Sequence, residues 1–142
     1  YKRQLLRSCE VIEVVSEGRS LPVALDASIR FSHLGKRCVA SALHEKTLAF
    51  AQTLTPKDLL MAFSTSGRDA GLEEVISAAK MRGAPVLLIT CDSHSPLARL
   101  SDYVMTASNR EQRLIEGSHA ASLLSPNILV EVLYYLLRME NL

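Results

Sequence analysis

The stretch from Leu59 to Asp69 reads LLMAFSTSGRD, and its second half gathers side chains suited to holding an anion. Ser64, Thr65 and Ser66 offer hydroxyl donors in succession, Gly67 lets the backbone come close, and Asp69 ends the turn. A helical pattern starts at about Ala70, with Leu72, Val75, Ile76 and Ala79 on one face. A hydroxyl-rich turn that opens a helix aims backbone N–H groups and the positive end of the helix dipole at one point. Capping a helix takes one such residue, so three ahead of a glycine favour a bound phosphate over a cap alone. A second small-polar turn, Ser16-Glu17-Gly18-Arg19-Ser20, comes earlier and contributes Gly18 and Ser20. Arg19 and Arg68 each sit in one of these turns, where an arginine either clamps a phosphate or stays solvated.

Proton transfer is the other chemistry to weigh. Glu116 and His119, three residues apart on a possible helix near the tail, are the candidate acid–base pair. The plainer reading of both is a solvated glutamate and a surface histidine. His33, His44 and His94 lack ligand spacing, so no metal site is expected, and nothing in the chain calls for a cofactor. Cys91 follows an apolar run and reads as a small buried residue.

The elements that must position these residues alternate regularly. Val11, Ile12, Val14 and Val15 mark a first strand, followed by a helix from about Leu21 to Leu34 with Pro22 in its first turn and Gly35 as its stop. Cys38 to Ala42 reads as a second strand and Glu45 to Thr53 as a weaker helix. Leu59 to Phe63 is an apolar run bounded by turn residues, which marks a strand buried on both faces. Its helix stops at Arg82-Gly83, and Val86 to Thr90 forms a fourth strand. Ser95-Pro96 opens a short helical turn, and Asp102 to Thr106 is a fifth strand. The tail is helical with a break expected at Ser125-Pro126-Asn127. From Ile128 to Leu137 it is apolar nearly all round, which suits a buried helix or a subunit contact, and a dimer interface is expected.

This alternation implies a three-layer α-β-α sandwich with a five-stranded parallel sheet. In the common flavodoxin-like order 2-1-3-4-5, ligands bind where the strand order reverses, between the first and third strands. The two small-polar turns follow those two strands and therefore share one crevice.

With 142 residues the chain makes a single domain, residues 1–142, large enough to bury about two thirds of its unfolded surface. Its net charge of +1 supplies no basic stripe for a nucleic-acid backbone. Aromatic residues make up 5 % with no Trp, so stacking platforms for single strands are missing as well. Contact with DNA is therefore expected only through a part outside this chain. Three scattered cysteines argue for a reducing compartment. The N-terminus lacks the apolar core of a signal peptide, and Ile128 to Leu137 is too short to span a bilayer. A cytoplasmic protein with no membrane partner is expected.

Several stretches resemble one family. STSGRD resembles the S-x-S-G-x-T loop of the sugar isomerase (SIS) domain, and SPLARLSDYVM resembles the SPLA-x-x-AD-x-V stretch that family carries before its fifth strand. SEGRSLPVA resembles its G-x-G-x-S loop, and FSHLGKRC is similar to the helix-to-strand passage of RpiR-type transcriptional regulators. The resemblance covers nearly the whole chain. It implies a sugar-phosphate sensor with Gly18, Ser20, Ser64, Thr65, Ser66, Gly67 and Asp69 at the ligand, working as a homodimer or tetramer. It also implies a helix-turn-helix domain ahead of this one in the full protein. An aldose–ketose isomerase using Glu116 and His119 is the alternative it leaves open. Two positions depart from the pattern: Ser16 replaces the first glycine, and Asp69 replaces a threonine beside the phosphate. A carboxylate there repels an anion unless Arg68 compensates or Asp69 turns to cap the helix, which leaves an unphosphorylated or amino sugar more open than usual.

Overall fold

The computed structural model describes residues 1–108 and 123–139. Five parallel strands lie in the order β2-β1-β3-β4-β5: β1 Val11–Ser16, β2 Arg37–Ala40, β3 Leu59–Phe63, β4 Val86–Thr90 and β5 Tyr103–Thr106. Among the described residues six α-helices flank them: α1 Lys2–Ser8, α2 Leu21–His33, α3 His44–Ala51, α4 Ala70–Met81, α5 Pro96–Leu100 and α6 Leu124–Arg138. This is the expected sandwich and the expected strand order.

The alternation of side chains along each strand sorts the core into two layers. Ile12, Val14, Leu59, Met61, Phe63, Leu87 and Ile89 pack with residues of α2 and α6 on one face. Val15, Leu60, Ala62, Val86 and Leu88 pack with Leu72, Val75, Ile76 and Ala79 of α4 on the other. β3 and β4 are buried at every position because both faces are covered.

Three boundaries differ from the sequence reading. β2 ends at Ala40, two residues early, because the backbone turns where the Leu43 N–H donates to Ser41 Oγ. α3 accordingly begins at His44 and ends at Ala51. The expected break at Ser125-Pro126-Asn127 is instead the first turn of α6, where a proline costs no intrahelical hydrogen bond.

α6 is also less uniform than its sequence suggests. Val130, Leu133 and Leu137 are buried against the domain, while Ile128, Val132, Tyr135 and Leu136 face outward at spacings of one helix face. Leu25 and Ile29 of α2, which packs beside α6, are exposed as well.

One buried residue is out of character. Glu13, at the centre of β1, is only 2 % exposed and sits in register between Val39 and Leu60. Its Oε2 has no hydrogen-bond partner among the described residues, and burial pushes the carboxyl up to about 8.

Candidate functional site

β1 and β3 lie side by side with Ser16 opposite Phe63, so the turns that follow them emerge next to each other at the carboxyl edge of the sheet. Both lie at the reversal of strand order. The first turn is a single 3-10 turn, Gly18–Ser20. Gly18 is exposed with φ 60°, a conformation that favours glycine, and Ser20 is buried at the N-cap of α2.

The second turn is held from within. Ser64 is buried; its hydroxyl donates to Asp69 Oδ2 and accepts from the Gly67 N–H at 2.9 Å. Asp69 is the N-cap residue of α4 but makes no side-chain cap bond, because its carboxylate is taken up by Ser64. Arg68 turns away as well, with its guanidinium 3.2 Å from Asp92. Neither compensation foreseen for the carboxylate at 69 is therefore adopted: it serves as a brace within the loop. Thr65 is half-buried and Ser66 exposed, which leaves Ser66 as the most accessible hydroxyl of the three. The Ser66 Oγ accepts from the Arg68 N–H at 3.2 Å, and its own proton remains available to a ligand.

The Ser95–Ala98 segment forms the floor beneath this loop. Leu97 N–H donates to the Gly67 carbonyl at 3.0 Å, and Cys91 N–H donates to the Thr65 carbonyl at 3.1 Å. Ser95 is fully buried, caps α5 by accepting from Ala98 N–H, and packs against Gly67. Gly67 has φ 67°, and a Cβ there would overlap Ser95 Oγ and Cβ and come within 3.2 Å of Thr90 Oγ1. The two motifs that stand far apart in sequence thus make one structure: the loop and the floor that shapes it.

A cleft of about 270 Å³ opens beside the first turn, lined by Ser16, Glu17, Gly18, His44, Thr47 and Leu72 among others. His44 bridges two carboxylates, with Nδ1 3.5 Å from Glu17 Oε1 and Nε2 3.1 Å from Glu74 Oε2. Sequence reasoning missed this group, since its members come from three elements with no shared spacing. Arg19 is exposed on the 3-10 turn. Cys91, expected to be buried, is half-buried because it lies just past the end of β4, and the burial it has raises its thiol and disfavours the reactive thiolate. No cluster of metal-ligating side chains occurs among the described residues. Glu116 and His119 lie outside the described residues.

A parallel sheet in this order, with a hydroxyl loop opening a helix at its reversal point, defines a flavodoxin-like α/β domain with a candidate anion site at that point. The sequence profile of the SIS domain matches residues 5–134, and the chain belongs to that family. Its relatives include an HTH-type transcriptional regulator of Thermotoga maritima, 30 % identical over 133 residues, covering 94 % of this chain and 47 % of that protein. The HTH-type transcriptional regulator RpiR of Escherichia coli is 27 % identical over 117 residues, covering 82 % of this chain and 40 % of that one. The chain thus spans about half the length, or less, of the curated relatives it matches. Among solved structures, the sugar isomerase domain of an RpiR transcription factor from Sphaerobacter thermophilus superposes with a TM-score of 0.87 at 24 % identity, covering 98 % of this chain and 75 % of that one. The Vibrio vulnificus NanR protein complexed with ManNAc-6P gives a TM-score of 0.87 at 26 % identity, covering 98 % and 52 %. No described helix is long and apolar enough to cross a membrane.

Proposed function

We propose that this chain is the effector-sensing SIS domain of an RpiR-type transcriptional regulator of carbohydrate metabolism. It takes a sugar phosphate at the carboxyl edge of the sheet, with the phosphate at the 64–69 loop and the sugar hydroxyls toward Gly18 and Ser20. The observation that carries this reading is the adjacency of the two turns across β1 and β3, one of them opening α4 with Ser66 exposed. The regulators among its relatives, and NanR with its bound sugar phosphate, support it. DNA contact belongs to a segment outside this chain. In the cell such a sensor works in the cytoplasm.

Calorimetric titration with N-acetylmannosamine 6-phosphate and a panel of hexose and pentose phosphates tests the assignment. The unphosphorylated sugars serve as controls. Ser66→Ala is expected to weaken binding of the phosphorylated ligand by about 1–3 kcal/mol, the worth of a hydrogen bond to a charged oxygen. Equal affinity for the phosphorylated and unphosphorylated sugar would place the phosphate elsewhere.

The outward face of α6 together with Leu25 and Ile29 carries the second part of the proposal, a homodimer. Ile128 and Tyr135 are each 52 % exposed, and a row of this kind on one helix face is covered by a second copy more economically than by water. Sedimentation at micromolar concentration is expected to give a dimer or larger, and Val132→Glu to shift it to monomer. A wild-type monomer under these conditions would refute the interface.

A further inference from the structure

Parallel strands all begin at one edge of the sheet, so the segments leading into them gather there, on the side away from the two ligand turns. Lys36 and Arg37 open β2, Lys57 leads into β3 and Arg82 into β4, and Lys80 lies in the last turn of α4 on the same side. Arg138 joins them, because its neighbour Leu137 lines a hollow with Arg7, Gly35 and Lys36. All of these cations are exposed except Lys36, which is half-exposed.

The acids at this edge neutralise few of them. Among the described residues Glu10 stands 3.7 Å from Lys57, and Asp102 stands 3.0 Å from Lys80. Asp58 is buried and spends its carboxylate on Thr55. Lys36, Arg37, Arg82 and Arg138 make no ion pair among the described residues. Lys36 donates to the carbonyls of Arg7 and Cys9, Arg82 to the Leu54 carbonyl at 3.4 Å, and Arg138 to the Tyr134 hydroxyl at 3.5 Å. Such partners fix a side chain and leave its charge in place. The opposite edge is arranged otherwise: Arg68 is held by Asp92, and His44 lies between Glu17 and Glu74. A net charge of +1 therefore conceals a sorted distribution, with the excess of cations at the amino edge.

We propose that the amino edge of the sheet docks on the phosphate backbone of double-stranded DNA. Neighbouring strands stand about 4.8 Å apart, so the row from Arg37 on β2 to Arg82 ahead of β4 is on the order of 15 Å long. DNA carries a charge every ~1.7 Å of its axis, so a row of that length meets several phosphates. Backbone contact holds and orients a protein without reading sequence, and base reading stays with the segment outside this chain. The choice of DNA over other polyanions rests on the regulator reading; the charge sorting itself does not.

The test is fluorescence anisotropy of a labelled mixed-sequence duplex titrated with the 142-residue chain from about 20 to 200 mM salt. Binding is expected at the low end, with log affinity falling against log salt at a slope of about −3 to −4. Arg37→Glu with Arg82→Glu is expected to weaken binding about tenfold or more and to flatten the slope by about 2. Arg37→Gln with Arg82→Gln removes the charges at nearly equal length and is expected to act in the same direction, so misfolding of the glutamate pair would not decide the matter. Lys46→Glu, in the first turn of α3 at the opposite edge, is expected to change little. Absence of binding at low salt overturns the surface. Equal losses in Lys46→Glu and in the paired variants would show an effect of net charge alone and overturn it too. Tighter binding of polyglutamate than of the duplex would assign the edge to an acidic protein and overturn the choice of DNA. Failure of the sugar-phosphate titration would leave the surface standing, since the two sites lie on opposite edges.

Discussion

Gly67→Ala is expected to destabilise the domain by about 2–4 kcal/mol and to abolish ligand binding. Two causes act together. An L-residue at φ 67° costs about 1–2 kcal/mol against glycine, and the new methyl group would overlap Ser95. Ser95 is fully buried and fixed as the cap of α5, so it cannot swing aside without moving the floor of the site. The loop must lift, and the Leu97–Gly67 and Cys91–Thr65 hydrogen bonds go with it. Urea unfolding and calorimetry read the two effects separately. The double variant with Ser95→Gly removes the collision but not the backbone strain, so it should recover about half of the lost stability. Full recovery would show that the positive φ costs nothing here.

Glu13→Met is expected to raise the melting temperature by about 10 °C at pH 8.5 and hardly at all at pH 5. The Glu13 carboxyl titrates near 4.5 when unfolded and at about 8 when folded. Between those values the native state holds a proton that the unfolded state has released. The contribution of Glu13 to stability is therefore most favourable below pH 4.5 and declines as pH rises toward 8, by at most about 1.4 kcal/mol per unit across the interval. Above 8 the carboxylate is charged in both states, and its burial, with Oε2 unpartnered among the described residues, is the full penalty. Methionine is unbranched and apolar, fits between Val39 and Leu60, and removes the titration. Thermal melts across pH 5 to 9 check the slope. An unchanged slope in Glu13→Met would assign the pH dependence to another group.

Much of this architecture is legible in the residues themselves. LLMAF followed by a hydroxyl turn and an apolar helical stripe specifies β3, its loop and α4, because burial on both faces leaves a strand no polar position. The roles within the loop are harder to read. Which of Ser64, Thr65 and Ser66 faces a ligand depends on Asp69 claiming the Ser64 proton, and side-chain pairing of that kind has no period. The family's threonine position suggested repulsion at 69; the carboxylate is instead absorbed as a brace. The Glu17–His44–Glu74 group was invisible for a different reason. It exists only because the β1 turn, α3 and α4 converge, and no one element carries its pattern. Glu13 did leave a signal, since a glutamate within VIEVV on a strand flanked by two others has no solvent face to occupy.

The seam between β1 and β3 has a further consequence for how the chain reaches this structure. Val11 pairs with Arg37 and Leu60 with Val86, but Ile12 must find Leu59 across an intervening helix, strand and helix. Closing the longest loop costs the most chain entropy, so the two halves of the sheet are favoured to assemble before they join. On a ribosome β1 and β2 emerge first and wait, with one edge of β1 unpaired, until β3 is made. The proposed ligand crevice lies on this joint, so it forms only when the two halves have met. A small molecule that binds there would act as a folding chaperone for its own receptor, recognising only chains whose halves have met.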